Sequence, residues 1–223
     1  MENVIEPRER VETLQLEREF GDVLESLDVA MDESEVLISL MAPLRQKNSL
    51  THSHYLHSLR VAVLLGSIGD FLGFGKKALV YAGAMHDVGK AQIPVSTLAK
   101  TTDWTPKDFE VMKGHVLQSY RTLHGCFNFI GSVILWHHRF QANGYPLRLP
   151  SNSFNYPRKT KDLILKYGRM VALADCYDAM HRKKDRHGID GLTSDKIKEN
   201  MLRINPDVSN LIVDLYGAGI FKA

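Results

Sequence analysis

Cysteine is scarce in this sequence, and long hydrophobic runs are absent. The 223 residues include two cysteines, Cys126 and Cys176. Two thiols cannot form a disulfide framework, and we predict that both are reduced and buried. The longest apolar runs, such as residues 61–65, are far shorter than the roughly 20 residues that cross a bilayer. The acidic and polar first residues show no signal peptide, so we expect a cytoplasmic protein without a membrane partner.

Strand signals are also nearly absent. Apolar residues instead recur at the three- and four-residue spacing that is typical of helices. Helices are predicted near residues 8–28, 50–72, 76–88, 106–123, 127–138, 158–181, 194–203 and 207–221, with a shorter helical pattern that ends near Pro43. The length suits one core with an appendage better than two full domains. We therefore predict an all-α helical bundle over residues 49–223. Residues 1–48 are predicted to be an N-terminal helical extension that packs on the core, on a second subunit of a homodimer or on another protein.

Histidine, by contrast, is abundant and regularly placed, with ten in the chain. His57, His86, His115 and the pair His137-His138 fall on four different predicted helices, and Asp175 falls on a fifth. A single histidine of this kind is more often a satisfied core or surface imidazole than a ligand. Helices packed around one core can aim their side chains at a common point, so the set together predicts a metal centre.

One of these histidines, His86, is followed directly by Asp87 and then by Lys90. An imidazole next to a carboxylate suits a divalent metal, and the second carboxylate oxygen is free to bridge to another ion. A nearby lysine is a point charge that suits a phosphate oxygen. Alone the dipeptide is a weak signal, because a helix-end histidine beside a capping aspartate explains most such pairs. Its weight comes from the other members of the set.

The overall charge is nearly balanced, but its distribution is uneven. The net charge is +2. Residues 1–35 hold twelve acidic and three basic side chains, a balance of −9, which leaves +11 for the remaining residues. Residues 139–186 alone hold eleven basic and four acidic side chains, a balance of +7. Part of this excess is an ordinary charged helical face, but its size beside candidate metal ligands favours an anionic substrate.

Several short motifs follow one another in a particular order. They are His86-Asp87-Val88-Gly89-Lys90, Ile93-Pro94, Lys113-Gly114-His115, His137-His138 leading to Gly144-Tyr145-Pro146, and Asp175-Cys176-Tyr177-Asp178-Ala179. Over about residues 50–221 this series resembles the HD-GYP branch of the HD phosphohydrolase superfamily. The resemblance implies an HD-domain helical bundle. It also implies a phosphodiesterase that hydrolyses the bacterial second messenger cyclic di-GMP to linear pGpG or GMP.

The resemblance further implies a role for individual residues. The metal ligands would be His57, His86, Asp87, His115, His137, His138 and Asp175, and the cofactors two divalent ions, iron or manganese. Asp87 and Lys90 would be the catalytic residues, with Asp87 bridging the ions and a metal-activated hydroxide attacking the phosphodiester. The substrate would contact Lys90, Gly144, Tyr145, Pro146, Arg148 and Lys184, and no DNA partner is expected. Asp178 is expected to orient a ligand or to contact a basic neighbour rather than to bind metal.

The chain also departs from the family pattern. Between the histidine pair and Gly144, the family usually has Glu-Arg-x-Asp-Gly-x, whereas this chain has the shorter segment Arg139–Asn143. Members with three metals carry a glutamate four residues before the first ligand histidine. Ser53 stands there in this chain, so a third metal is not expected, although His54 lies on the same helical face. The altered loop leaves two alternatives open: hydrolysis of another cyclic dinucleotide or nucleotide, and a non-catalytic cyclic di-GMP receptor or protein-interaction module.

Overall fold

The computed structural model describes residues 7–46, 49–100, 102–186 and 192–222. Within these ranges every regular element is helical, which confirms the all-α prediction. The α-helices are α1 (Pro7–Ser26), α2 (Met31–Gln46), α3 (Ser49–Leu72), α4 (Lys76–Met85), α5 (Val95–Leu98), α6 (Pro106–Leu123), α7 (Asn128–Ile134), α8 (Arg158–Arg186), α9 (Ser194–Ile204) and α10 (Ser209–Gly217). Two 3-10 helices cover Val88–Gln92 and Pro206–Val208.

Helix α3 lies in the middle of the bundle and packs against α1, α2, α4 and α8. Its contact with α4 is close because Gly83 faces the α3 backbone: a Cβ atom on Gly83 would lie 2.8 Å from the Cα atom of Ala62. The short connection between the two helices makes them antiparallel. Consequently His57, which precedes Ala62, and His86, which follows Gly83, are brought to the same end of the helix pair.

The apolar character of α3 contradicts the expectation that no stretch would be long enough for a membrane span. By length and composition alone, Thr51–Leu72 could cross a membrane, with a hydropathy of 1.2. However, 61% of this window is buried inside the protein. Interspersed small and polar residues divide the stretch into short runs, so its length was not apparent from the sequence. Packing on several sides gives an ordinary reason for its composition.

The N-terminal helices contribute to the same hydrophobic core as the rest of the bundle. Phe20 on α1 and Leu37, Met41 and Leu44 on α2 are buried in that core. The prediction that the second helix ends near Pro43 is wrong, because α2 continues to Gln46. Its buried stripe extends past the proline to Leu44, and Pro43 lies on the exposed face, where a carbonyl group that lacks a backbone donor is accessible to water. The division between residues 48 and 49 stays a prediction.

The predicted helix over residues 127–138 is too long. Helix α7 ends at Ile134, and the chain continues in turns. The amide nitrogen of Trp136 lies 3.1 Å from the carbonyl oxygen of Val133, and that of His137 lies 3.3 Å from the carbonyl oxygen of Ile134. These i→i−3 bonds tighten the last turn. The backbone therefore leaves the α-helical path before the histidine pair, which a periodic sequence pattern cannot indicate.

Neither cysteine forms a disulfide within the described residues, and their burial differs from the prediction. Cys126 is exposed because it lies in the turn between α6 and α7. Cys176 on α8 is partly buried.

Candidate metal centre

The pair His86-Asp87 lies where α4 gives way to the first 3-10 helix. His86 still has helical backbone angles, with φ −58° and ψ −34°. The backbone of Asp87 has left the α-helical conformation, with φ −107° and ψ 5°. Both residues are fully buried, at 0% exposure. This change of direction separates their side chains, so that both can face the same interior point from adjacent positions.

Gly89 allows the 3-10 helix to lie directly against α6. A Cβ atom at this position would be 2.1 Å from the carbonyl oxygen of His115 and 2.5 Å from the amide nitrogen of Ser119. The Gly89 amide itself donates to the Ser119 hydroxyl oxygen at 2.8 Å. The close approach brings Asp87 beside His115, so the glycine is required by tertiary packing.

Two groups of side chains in the bundle interior have the spacing of metal ligands. One group is His57, His86 and Asp87, and the other is His115, His137 and His138. Within each group the candidate ligand atoms all lie within 4.8 Å of one another. Asp175 joins the first group from α8, with its Oδ1 atom 3.0 Å from His57 Nε2 and 3.9 Å from His86 Nε2.

Backbone carbonyl groups orient three of the histidines. The Nδ1 atom of His86 lies 2.7 Å from the Gly83 oxygen, that of His115 lies 2.6 Å from the Met112 oxygen, and that of His137 lies 2.5 Å from the Ile134 oxygen. An imidazole that donates from Nδ1 to a carbonyl oxygen has a free electron pair on Nε2. In this tautomer, each Nε2 atom is available as a ligand.

Three buried polar atoms in the centre have no hydrogen-bond partner among the described residues: Asp87 Oδ1, His115 Nε2 and His137 Nε2. Desolvated polar atoms without partners are costly, by about 1–3 kcal/mol each. A cation held between imidazole nitrogens and a carboxylate oxygen would satisfy such atoms, and this mixed donor set suits a transition-metal dication. The residues therefore fit a metal centre.

Burial and neighbouring charges favour the unprotonated, metal-binding forms of Asp87, His137 and His138, whereas Asp87 and Asp175 outweigh burial and raise the pKa of His86. Burial raises the pKa of the Asp87 carboxyl, but the charges of Lys90 and His86 outweigh it and hold that pKa well below its ordinary value. The Lys90 ammonium nitrogen lies 2.5 Å from Asp87 Oδ2. Burial, reinforced by the imidazoles of His86 and His115, lowers the pKa of His137 to about 3. Burial and His137 likewise lower the pKa of His138 well below its ordinary value.

His57 is oriented by a carboxylate instead of a carbonyl group. Its Nδ1 atom lies 2.6 Å from Asp178 Oδ2, which directs Nε2 towards Asp175 and His86. Asp178 also accepts a hydrogen bond from the basic side chain of Arg60. Both contacts match the expectation that Asp178 would orient a ligand or contact a basic neighbour.

A surface groove of 1380 Å³ lies next to the centre, between α6 and the loop over residues 141–148. The residues that line it include Trp104, Phe109, Lys113, Gly144, Tyr145, Pro146, Leu147 and Arg148. Tyr145 connects the groove to the centre, because its ring stacks on His138 with centroids 4.5 Å apart and an interplanar angle of 25°. The groove is large enough for a dinucleotide, and its walls carry both aromatic and basic side chains.

Residues 55–180, more than half of the chain, match the family model described as "HD domain". The chain belongs to the HD-domain family. Matches to curated relatives are consistent with the HD-GYP branch.

Two curated cyclic di-GMP phosphodiesterases are among the relatives that this HD-domain chain resembles. One, from Thermotoga maritima, is 33% identical over 132 residues, which are 56% of this chain and 33% of that protein. Another, from Vibrio cholerae, is 28% identical over 183 residues, which are 72% of this chain and 35% of that protein. A 3'3'-cGAMP-specific phosphodiesterase of Vibrio cholerae is 28% identical over 140 residues, which are 59% of this chain and 30% of that protein. The chain thus spans about a third of the length of these relatives.

The HD-domain bundle brings together the residues that were predicted as metal ligands. His57, His86, Asp87, His115, His137, His138 and Asp175 come from α3, α8, α6 and the segments after α4 and α7. Lys90 contacts Asp87 in the centre. Gly144, Tyr145, Pro146 and Arg148 line the groove. The side chain of Lys184 lies outside the described residues. His54 is buried but belongs to neither ligand group.

Sequence reasoning did not assign two contributors to the site: it favoured a packing role for Trp104 and gave no role to Arg60. Trp104 lines the groove and packs against Phe109, with ring centroids 5.1 Å apart. Its position directly before the Thr105 N-cap of α6 was the available signal, since a residue there lies beside the first turn. Arg60 was also missed, although it lies three residues after His57 on the same helix and therefore near the same face.

Proposed function

We propose that this chain is a metal-dependent phosphodiesterase of the HD-GYP type that hydrolyses cyclic di-GMP to linear pGpG or GMP. The observation that carries the proposal is the set of three buried atoms that have no hydrogen-bond partner within the described ranges: Asp87 Oδ1, His115 Nε2 and His137 Nε2. They lie within an HD-family ligand cluster beside a groove of dinucleotide size. The names of the curated relatives support the substrate class.

The ligand assignment follows the predicted series. Two divalent ions, iron or manganese, would be held by His57, His86, Asp87, His115, His137, His138 and Asp175. When bound, such ions supply Lewis acidity at the phosphodiester and lower the pKa of the attacking water. Asp87 would serve both ions; the support for this role is that Oδ1 faces His115 while Oδ2 faces His86 and Lys90.

Lys90 is assigned the contact with the phosphate or with the leaving oxygen. Its ammonium group lies at the edge of the centre, with a side chain that is 13% exposed, and it already neutralises Asp87 Oδ2. A cation at this position offsets negative charge that develops on a phosphoryl oxygen. We therefore expect Lys90 to act on the substrate and the seven ligands to act on the metal.

The groove would bind the part of the dinucleotide that does not contact the metal centre. Arg148 and Lys113 supply positive charge in its wall, and Tyr145 supplies an aromatic face next to His138. Lys184 is kept as a further phosphate contact on the basis of the sequence resemblance alone. The excess positive charge of residues 139–186 suits a ligand with two phosphodiester groups. A cytoplasmic location is part of the same proposal.

Another cyclic dinucleotide is the second candidate substrate. The loop Arg139–Asn143, where the chain departs from the HD-GYP pattern, leads into the groove lining. A relative named as cGAMP-specific matches this chain about as well as one named for cyclic di-GMP. Both observations concern the groove and leave the metal chemistry unchanged.

The test is hydrolysis by protein purified without air and loaded with Mn²⁺ or Fe²⁺. Cyclic di-GMP, 3'3'-cGAMP and cyclic di-AMP are supplied separately, and products are separated by chromatography. Cleavage of cyclic di-GMP by the wild type, with loss in Asp87→Ala, supports the proposal. Cleavage of a different dinucleotide alone supports the second candidate. Binding of cyclic di-GMP without cleavage by fully loaded protein contradicts both, and then the chain is a receptor.

A further inference from the structure

Three hydrogen bonds connect the candidate metal centre to the N-terminal helix. His57 Nδ1 lies 2.6 Å from Asp178 Oδ2, Arg60 Nε donates to Asp178 Oδ1 at 2.7 Å, and Arg60 Nη1 donates to Glu12 Oε1 at 2.9 Å. We call this row of four residues the His57–Glu12 bridge. It starts at a candidate ligand on α3, passes through α8, returns to α3 and ends on α1.

The bridge runs from the interior to the surface. The side chain of His57 is 0% exposed, that of Asp178 9%, that of Arg60 26% and that of Glu12 51%. Charge-assisted hydrogen bonds strengthen as solvent is excluded. The inner bonds should therefore hold His57 firmly, and the outer bond to Glu12 should contribute less.

Arg60 donates two hydrogen bonds to the Asp178 carboxylate. Besides the bond from Nε to Oδ1, its Nη2 atom donates to Oδ2 at 3.4 Å. Oδ2 is the same oxygen that faces His57 Nδ1. The planar guanidinium thereby fixes the rotation of the carboxylate, which in turn sets the plane of the imidazole. A lysine could supply the charge but could not make this forked contact.

We propose that Arg60 and Glu12 are positioning residues for His57, so that the N-terminal helix α1 belongs to the apparatus that holds the metal. This inference rests on the metal centre proposed above, but it does not depend on which substrate is cleaved. Residues that orient a ligand imidazole typically change metal affinity about 10- to 100-fold when they are removed. The effect should decrease along the bridge towards the surface.

A purely structural role would be to dock α1 on α3. Other contacts also tie α1 to the bundle: the Tyr55 hydroxyl on α3 donates to Glu17 at 2.8 Å, and Arg45 on α2 pairs with Glu17 at 2.9 Å. Neither Tyr55 nor Arg45 contacts a candidate ligand in the described part of the chain. Glu17 is therefore a matched control for Glu12, because both residues tie α1 to the bundle and only Glu12 is on the bridge.

The experiment measures the Mn²⁺ dissociation constant of the full chain by competition with a chelating dye, together with the melting temperature of the metal-free protein. Arg60→Gln should weaken Mn²⁺ binding about 10- to 100-fold. Arg60→Lys should recover only part of this loss. Glu12→Gln should weaken binding about two- to fivefold, because its contact is half exposed. Glu17→Gln should lower the melting temperature while leaving the dissociation constant unchanged within about twofold.

Wild-type Mn²⁺ affinity in a folded Arg60→Gln protein would overturn the inference, as would equal weakening by Glu17→Gln and Glu12→Gln. If Arg60→Gln fails to fold, the comparison of the two glutamate variants decides alone. Metal affinity can be measured without turnover, so a failure of this inference can be distinguished from a failure of the proposed phosphodiesterase activity. Weakened binding in protein that cleaves no dinucleotide supports the bridge and contradicts the proposed activity. A wild type that binds neither Mn²⁺ nor Fe²⁺ contradicts both.

Discussion

Asp87 Oδ1 and His115 Nε2 lie 3.2 Å apart in the interior of the bundle, and neither atom has a hydrogen-bond partner among the described residues. The other faces of both side chains are engaged: Asp87 Oδ2 contacts Lys90, and His115 Nδ1 contacts the Met112 carbonyl. When His115 donates from Nδ1 to that carbonyl, Nε2 and Asp87 Oδ1 face each other as two lone-pair atoms, which a cation between or beside them would stabilise. The metal centre is therefore inferred from the buried polar atoms themselves as well as from the family match.

The first prediction is that Asp87→Ala and His115→Ala each lose bound metal. Each substitution removes one metal-ligand atom, and the ligand atom that remains cannot hold the ion alone. Metal content should therefore fall at least about tenfold. Elemental analysis of protein purified without air measures this content. His124→Ala is the control, since His124 is exposed at the end of α6. Wild-type metal content in both Asp87→Ala and His115→Ala would show that the ligand assignment is wrong.

The second prediction concerns the contact between the 3-10 helix and α6. In Gly89→Ala the new methyl group would overlap the His115 carbonyl oxygen, so the two helices must separate. We expect a loss of about 3 kcal/mol of unfolding free energy, as for other overpacked sites, and weaker metal binding because Asp87 moves away from His115. Urea denaturation and metal titration measure the two effects.

Gly114→Ala is the matched control for this prediction. Gly114 lies on α6 next to His115, and a Cβ atom there meets nothing within 4 Å. Alanine is favoured over glycine inside a helix by about 1 kcal/mol, so this variant should be as stable as the wild type or more so. Equal stability of Gly89→Ala and Gly114→Ala would contradict the role given to Gly89.

The candidate ligands could be found from the sequence because they occur in short motifs with a characteristic order. The helical class could be predicted because apolar spacing persists over long segments. The contact that places Asp87 beside His115 could not be predicted. It depends on Gly89 and Ser119, which are 30 positions apart, and no local sequence pattern indicates that they meet. The same limit applies to Arg60, whose partner Asp178 lies 118 positions away.

Helix boundaries failed for a different physical reason. Pro43 ordinarily ends a helix, but the buried stripe of α2 continues beyond it and outweighs one missing hydrogen bond. At the other extreme, the pattern before His137 looks helical while the backbone has already tightened after Ile134. In both cases the local sequence supplies only a preference, and the observed boundary departs from it.

The third prediction is a pH-dependent stabilisation by Asp207. Hydrogen bonds from Arg169, at 2.7 and 2.8 Å, lower the pKa of Asp207 below its ordinary value of 3.8. A carboxyl whose pKa is depressed by folding stabilises the folded state above its unfolded pKa and loses that contribution as the pH falls. Asp207→Asn should therefore be less stable than the wild type at pH 7, by less than about 1 kcal/mol because the Asp207 side chain is 60% exposed.

Urea midpoints from pH 7 to pH 3 measure this difference. It should shrink below about pH 4 as Asp207 becomes protonated in the wild type. Asp214→Asn, an exposed carboxylate on α10, is the surface control. A difference that stays constant down to pH 3 would show that the ion pair with Arg169 is not its source.

The last prediction concerns Arg139, which replaces the family's usual residues after the histidine pair. Its guanidinium donates to the Pro146 carbonyl oxygen and lies 4.8 Å from the centre of the Trp136 ring. Its own backbone lies so close to Gly144 that a Cβ atom there would be 2.5 Å from the Arg139 oxygen. These contacts tie the two ends of the loop together, which keeps the Tyr145 ring stacked on His138.

Arg139→Ala should release the loop without touching the ligands. We expect the KM for the hydrolysed dinucleotide to rise about tenfold, the cost of one lost charge-assisted hydrogen bond, while metal content stays at the wild-type level. Arg139→Lys should be intermediate, because a lysine can reach the carbonyl but stacks less well on Trp136. Arg121→Ala, which removes an exposed arginine from α6, should leave KM unchanged. A fall in metal content in Arg139→Ala, or a KM equal to that of Arg121→Ala, would mean that Arg139 does not hold the loop for substrate.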